Sequence, residues 1–547
     1  MTTDLKHETL ATDLVVAAPV EYATLRPRGT DGDLGLLLFL HGGGASRDSL
    51  EQFRPVFEQA WAADVLPPMV VATPSAGRSF YLDDAAGEQR WEQFIVDEFI
   101  PHLQATEETV GLPSLTGFSM GGLGSLRMGF RRPDRFAAVA ALEPAIETTT
   151  EWDDLLVRDR FYRPMELLHS LYGNPIDRDH FRRNSPLHLA KTNHVAIAAS
   201  ELAVLIECGD ADSLELHRGA EVLHRVLFDR GIDHEYRSVR GADHVGATMA
   251  PRLLDALGFI GRSLTPPQPD EPREAMVPLV EAMRRDSGYE RTVIVDGPAG
   301  PIDVRLVGEG PAVVMLPSLG RGATDFDDLA RRLARHGYLA VAPEPRGING
   351  STGELDGLTM FDLAADVAAV ISGLDIGPAT IVGHAFGNRV ARMTATEHPD
   401  LVESLVLLAC GGSVAPEPDD HAALRRVFDD ELSDEEHLAA VAQAFFAPGN
   451  DASVWTDGWH GIVAYFQGLA TSSLDTEHWV GAGASDVLIV QPADDVIAPP
   501  ANAEVAATRI GPRATVLELP RAGHATLPEQ PSAVAAAVLG WLQDRGR

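Results

Sequence analysis

The sequence predicts an α/β protein made of two consecutive domains, each a mostly parallel sheet with helices on both faces. Three observations lead there. The chain has 547 residues, too many for one ordinary core. Short apolar strands alternate with helical patterns in both halves, the signature of parallel sheets flanked by helices. Two glycine-flanked turns, Gly117-Phe118-Ser119-Met120-Gly121 and Gly383-His384-Ala385-Phe386-Gly387, follow apolar strands at corresponding places in the two halves.

In the first half, Gly35 to Leu40 reads as a strand that ends in His41-Gly42-Gly43-Gly44. Val65 to Thr73 reads as a second strand, and Arg90 to Leu103 has helical periodicity. The apolar run Leu112 to Leu115 leads into the first turn, and Ala137 to Leu142 supplies the next strand. Residues 146–200, with Trp152, Phe161, Tyr162 and Tyr172, form an expected lid insertion. Residues 263–288 open with three prolines among polar residues and become a short charged helix, which reads as a linker between domains at 1–262 and 289–547.

The second half repeats the order. Arg291 to Asp296 and Ile302 to Val307 flank Gly297-Pro298-Ala299-Gly300, a hairpin signal. The strand Ala312 to Leu316, the helix Asp325 to His336 and the strand Tyr338 to Ala342 precede the second turn. A larger lid is expected over 416–473, rich in aromatics such as Phe445, Trp455 and Trp459.

The chemistry lies at strand ends. G-x-S-x-G is the nucleophile-elbow pattern, in which a strained strand-to-helix turn presents a serine above the sheet. A serine hydroxyl becomes a useful nucleophile only when a histidine takes its proton and a carboxylate orients that histidine. The expected chain order is Ser, acid, His. After Ser119, the strand Val204 to Cys208 runs into Gly209-Asp210-Ala211-Asp212, and Asp212 is the candidate acid with Asp210 as competitor. His244 follows the strand Glu235 to Val239. The Met120 backbone N–H and one from the glycine loop, Gly43 with Gly42 close behind, are the candidate oxyanion donors.

The second half retains an acid and a histidine, Asp495 (or Asp494) and His524, but Ala385 stands where the nucleophile would be. The landmark pairs are spaced alike: Ser119 and Ala385 lie 266 positions apart, Asp212 and Asp495 283, His244 and His524 280. Leu319 and Phe386 are the corresponding N–H donors. Three roles are open to this half: a domain kept for folding, dimerisation or shaping its neighbour; a ligand-binding domain; or a site where His524, oriented by Asp495, acts as a general base without covalent catalysis. His384 is read as an ordinary elbow residue.

The segments LTGFSMGGLGSLRMGFRRPDRFAAVAAL, SAGRSFYLDD and GDAD resemble the esterase D and enterochelin-esterase-like family of α/β hydrolases over most of 20–262. That resemblance implies Ser119, Asp212 and His244 as a triad acting on carboxyl esters or thioesters. The S-formylglutathione hydrolase branch has a different, cysteine-containing oxyanion loop, from which His41-Gly42-Gly43-Gly44 departs. Residues 290–545 resemble the α/β-hydrolase fold-1 family, with Pro317-Ser318-Leu319-Gly320-Arg321 in place of its usual His-Gly motif. The expectation is two consecutive α/β-hydrolase domains. The first is a carboxylesterase-type serine hydrolase, with an acyltransferase or a ligand-binding scaffold as alternatives.

The formal charge of −36 disfavours nucleic acid and anionic membranes as partners and favours solubility, but says little about substrate. The small-molecule ester expected as partner follows from the landmarks around Ser119. Cys208 and Cys410 end apolar runs and read as buried core residues rather than a disulfide framework. The N-terminus lacks a signal-peptide pattern, and a cytoplasmic protein is expected. No His-Glu-x-x-His or Cys-x-x-Cys pattern calls for a metal, and no cofactor is implied. A homo-oligomer is left open.

Overall fold

The computed structural model describes residues 2–16, 18–29, 33–266, 271–429 and 431–546. The chain divides into two compact units, residues 1–269 and 270–547. Part of the expected linker, residues 267–270, lies outside the described residues, and Glu271–Asp286 is helical.

The first unit contains strands β1 (Thr3–Leu10), β2 (Val20–Pro27), β3 (Gly35–Leu40), β4 (Met69–Pro74), β5 (Ser114–Phe118), β6 (Ala138–Leu142), β7 (Ala203–Gly209) and β8 (Glu235–Val239). They form one sheet in the order β1-β2-β4-β3-β5-β6-β7-β8. β1 pairs antiparallel with β2, and β2 with β4; every later pairing is parallel. Successive residues of β3 show why its sequence is a continuous apolar run. Leu36, Leu38 and Leu40 join one core cluster while Leu37 and Phe39 join another, so both faces are covered.

The second unit holds β9 (Glu290–Asp296), β10 (Pro301–Val307), β11 (Ala312–Leu316), β12 (Leu339–Pro343), β13 (Ala379–His384), β14 (Val402–Leu408), β15 (Asp486–Pro492) and β16 (Ala514–Leu519). Its order, β9-β10-β12-β11-β13-β14-β15-β16 from the other edge, repeats the first sheet strand for strand. The hairpin between β9 and β10 closes with Gly297 N–H donating to Gly300 O at 3.0 Å, as its turn residues predict.

Three boundaries differ from the sequence reading, each for a local reason. The strand expected from Val65 starts at Met69, because Pro67 and Pro68 have no N–H for a ladder. The helix expected over Arg90 to Leu103 runs through Ile100–Thr106 but widens to a π-helical stretch at Phe94–Phe99, just before Pro101 removes a backbone donor. The helix expected from Asp325 starts with a 3-10 turn, Ala323–Phe326, before Asp327–Arg335. The first two strands, β1 and β2, were not legible as part of the repeat. No helix among the described residues is long and apolar enough to cross a membrane.

Strand order reverses between β3 and β5, and between β11 and β13: earlier strands lie to one side and later strands to the other, so each sheet has a switch point where parallel strand ends leave a crevice. The elbows sit there. Ser119 has φ 54° and ψ −112°, and Ala385 has φ 50° and ψ −106°, a left-handed geometry that L-residues seldom adopt. The flanking glycines are sterically required. A Cβ on Gly121 would lie 2.0 Å from Leu40 O, and one on Gly387 would lie 2.1 Å from Leu316 O.

Gly121→Ala should therefore destabilise the first unit by about 1–3 kcal/mol or prevent its folding. Scanning calorimetry of the full chain should show this as a lowered melting transition. An unchanged melt would contradict the packing argument.

Candidate functional site

Ser119 leaves the end of β5 with its N–H donating to Leu142 O at 2.9 Å, which ties the elbow to β6. The helix Met120–Arg131 starts immediately after it, so Met120 N–H belongs to the unpaired first turn. The glycine loop is held from behind by His41. The His41 ring is buried, with Nε2 3.0 Å from Ala76 N and Nδ1 2.8 Å from Gly42 O. An amide can only donate, so Nε2 accepts and the proton sits on Nδ1. Burial pulls the His41 pKa below its usual value, consistent with that neutral tautomer.

Of the two candidate acids, Asp212 meets the histidine. Its Oδ2 lies 3.0 Å from His244 Nδ1, and its Oδ1 accepts from Leu214 N–H at 2.7 Å. Asp210 instead accepts from Gly241 N–H at 2.6 Å and braces the histidine loop. Burial works to raise the Asp212 pKa, but the hydrogen bond and charge of His244 and backbone N–H groups outweigh it, and the net shift is downward. His244 is raised: burial opposes its charge, and the hydrogen bond and charge of Asp212 overcome that, aided by Glu143 and Asp243. Ser119, Met120, Gly42, Gly43 and His244 all line one cavity of about 600 Å³, with Tyr162, Arg163 and Leu167 contributed by the lid.

Sequence reasoning missed Glu143. It follows β6 directly, with φ 45° and no exposed surface, and its Oε2 lies 3.5 Å from His244 Nδ1. Its other oxygen pairs with Arg252, whose Nε reaches Glu207 Oε1 at 2.6 Å. Burial pushes the Glu143 pKa up to about 7, although Arg252 and His244 both pull it down. The available signal was a carboxylate closing an all-apolar strand. Glu143, Asp212 and His244 bring ligand atoms within 4.8 Å of one another, close enough for a cation. Within the group His244 Nδ1 bonds Asp212, and Glu143 is already paired with a cation, Arg252.

The second unit builds the same frame around Ala385. His524 Nδ1 lies 2.9 and 3.1 Å from the two oxygens of Asp495, which also accepts from Ile497 and Ala498 N–H groups. Asp494 is exposed and meets the loop only through its backbone N–H, which donates to Ala522 O. His384 is buried, with Nε2 2.8 Å from His524 O, and burial together with the nearby His524 pulls its pKa down to about 3. It is a neutral structural group. Ala385, Leu319, Phe386 and His524 line a cavity of about 510 Å³. The position corresponding to Glu143 is Ala409, also at positive φ (52°), so no second carboxylate faces His524 there. The lid over this cavity includes the helices Pro418–Arg426, Asp434–Phe445 and Gly461–Ser472. Phe445 packs on His524 with ring centroids 5.6 Å apart.

Both cysteines are buried free thiols. Cys208 sits under the acid loop, its Sγ 3.8 Å from Asp212 Oδ2, and burial raises its pKa well above the usual thiol value.

Family models match both units. Residues 19–260 match the family described as "Putative esterase", and residues 313–537 match the "Alpha/beta hydrolase family". The "Putative non-heme bromoperoxidase BpoC" of Mycobacterium tuberculosis is 29% identical over 254 residues, 42% of this chain and 94% of that protein. The "sn-1-specific diacylglycerol lipase ABHD11" of Mus musculus is 24% identical over 298 residues, 50% of this chain and 94% of that protein. Among solved structures, an esterase from Exiguobacterium antarcticum aligns with a TM-score of 0.41 and 19% identity, covering 46% of this chain and all of its own. The chain is a tandem of two α/β-hydrolase units, the first matching the esterase family and the second the alpha/beta hydrolase family.

Proposed function

We propose that the first unit is a serine hydrolase that cleaves a carboxylic ester or thioester through an acyl-enzyme on Ser119. The observation that carries this reading is the Asp212–His244 hydrogen bond beside a left-handed serine elbow, in one cavity with the glycine loop. His244 Nδ1 is committed to Asp212, so Nε2 is the nitrogen that takes the Ser119 proton. The serine oxygen attacks the substrate carbonyl, and the N–H groups of Met120 and Gly43 receive the developing oxyanion. His244 returns the proton to the leaving alcohol or thiol. Water then repeats the sequence on the acyl-enzyme and releases the acid. In the second unit a methyl group cannot attack a carbonyl, so Ala385 supports only non-covalent roles for that site.

A fluorophosphonate probe should label the full chain at Ser119, and Ser119→Ala should abolish both labelling and about 10⁶-fold of the turnover. Labelling that persists in Ser119→Ala would overturn the assignment. Asp212→Asn should lower turnover by about 10⁴ through the wrong histidine tautomer. Asp210→Asn should change it only a few-fold, since that side chain braces the loop. Equal losses at the two positions would contradict the choice of acid.

Turnover requires His244 in its neutral form, and its pKa lies above the ordinary 6.5. Activity should accordingly rise with pH through a midpoint above that value. Glu143→Gln removes a negative neighbour that favours the imidazolium, so the midpoint should move to lower pH. The pH profile of kcat/KM on a p-nitrophenyl ester reads this directly. A midpoint that stays put in a folded Glu143→Gln protein rules out the electrostatic role.

A further inference from the structure

The inward arginines of the second unit are almost all accounted for. Arg321 pairs with Asp325 at 2.5 Å and lies over the Trp455 and Trp459 rings at 4.3 and 4.4 Å. Arg346 pairs with Asp366 at 2.9 Å. Arg392 donates to Asn388 Oδ1 at 2.7 Å and to Gly411 O at 2.9 Å, and lies over the Trp479 ring. Arg389 differs. It sits on the helix Phe386–Glu397, and its guanidinium has no hydrogen bond or ion pair among the described residues. It is half-buried and lines the same cavity as Ala385 and His524. Gly412, at φ 120°, passes beside it: a Cβ there would lie 3.7 Å from Arg389 Nε.

A guanidinium carries five N–H donors in a planar fork suited to a carboxylate. Taking one partly out of water without a counter-charge is unfavourable, and a ligand that supplies the charge recovers that cost. Burial and the neighbouring Arg392 pull the Arg389 pKa down to about 10, which still leaves it charged at neutral pH. Much of the cavity wall is apolar, with Leu319, Val414, Leu424, Phe428 and Ile497 among its lining residues. Its volume of about 510 Å³ falls within the ~300–1,000 Å³ usual for small-molecule sites.

We propose that the cavity over Ala385 binds an organic monocarboxylate with an apolar body, its carboxylate paired with Arg389. A single uncommitted cation in an apolar chamber matches one negative charge. A phosphate dianion would need a second cation, and Arg392 is already engaged while His524 faces Asp495. With no serine oxygen at the elbow, the ligand is held rather than acylated. The inference is independent of ester hydrolysis at Ser119.

Calorimetric titration of the full chain with octanoate, phenylacetate, octanamide and inorganic phosphate tests it. Octanoate or phenylacetate should bind wild-type protein and lose about tenfold or more in affinity in Arg389→Gln, with partial recovery in Arg389→Lys. Octanamide, equal in shape but uncharged, should bind the wild type and Arg389→Gln alike. Leu424→Trp, which fills the cavity from the lid and keeps Arg389, should also abolish carboxylate binding; it carries the test should Arg389→Gln not fold. The proposal is overturned if neither carboxylate binds, if binding survives Arg389→Gln within twofold at an unchanged melting temperature, or if phosphate alone binds.

Discussion

The contact on which both units depend is the one between a helix N-terminus and the carbonyl end of a neighbouring strand. Leu40 O approaches Gly121, and Leu316 O approaches Gly387, so closely that any side chain would collide. That approach forces the residue between strand and helix into the left-handed region. It also sets the first N–H of the helix beside the switch point of the sheet. Strain of about 1–3 kcal/mol at such a residue persists only where its surroundings over-determine it. The glycine packing over-determines it here, which explains why Ala385 keeps an elbow geometry with no nucleophile to present.

On this common frame the two sites diverge electrostatically. The first surrounds its histidine with two carboxylates, Asp212 and Glu143, and balances the second with Arg252. Among the described residues, the second sets one carboxylate, Asp495, against its histidine, places Ala409 where Glu143 would stand, and leaves the Arg389 side chain unpaired against its cavity. An acid-rich site holds a histidine ready to accept a proton. A site with a spare cation suits a different task, and the retention of an anion is the one we propose for it.

Legibility of the fold followed local signal strength. The central parallel strands are short apolar runs that end in glycine-bearing loops, and such runs announce themselves. β1 does not: Asp4, Lys6, His7 and Glu8 make it an edge strand whose pairing with β2 supplies its reason to be extended. The β9–β10 hairpin, by contrast, was readable because Gly297 to Gly300 encodes its turn. The π-helical widening at Phe94–Phe99 could only be read once Pro101 was seen inside a continuous helix.

Sequence by itself determined the tandem organisation, the two elbows, the missing oxygen at Ala385 and the short list of acids and histidines. Each of these is written in adjacent residues or in a repeated spacing. Tertiary structure decided what depends on residues far apart in the chain. It set Asp212 rather than Asp210 against His244, and Asp495 rather than Asp494 against His524, because only one carboxylate of each pair turns beneath its histidine. It joined Glu143 to Arg252, 109 residues away. It also left the Arg389 side chain facing a cavity with no hydrogen-bond or ion-pair partner among the described residues. Side-chain pairing across a sheet depends on which strand ends meet, and no spacing along the chain encodes that.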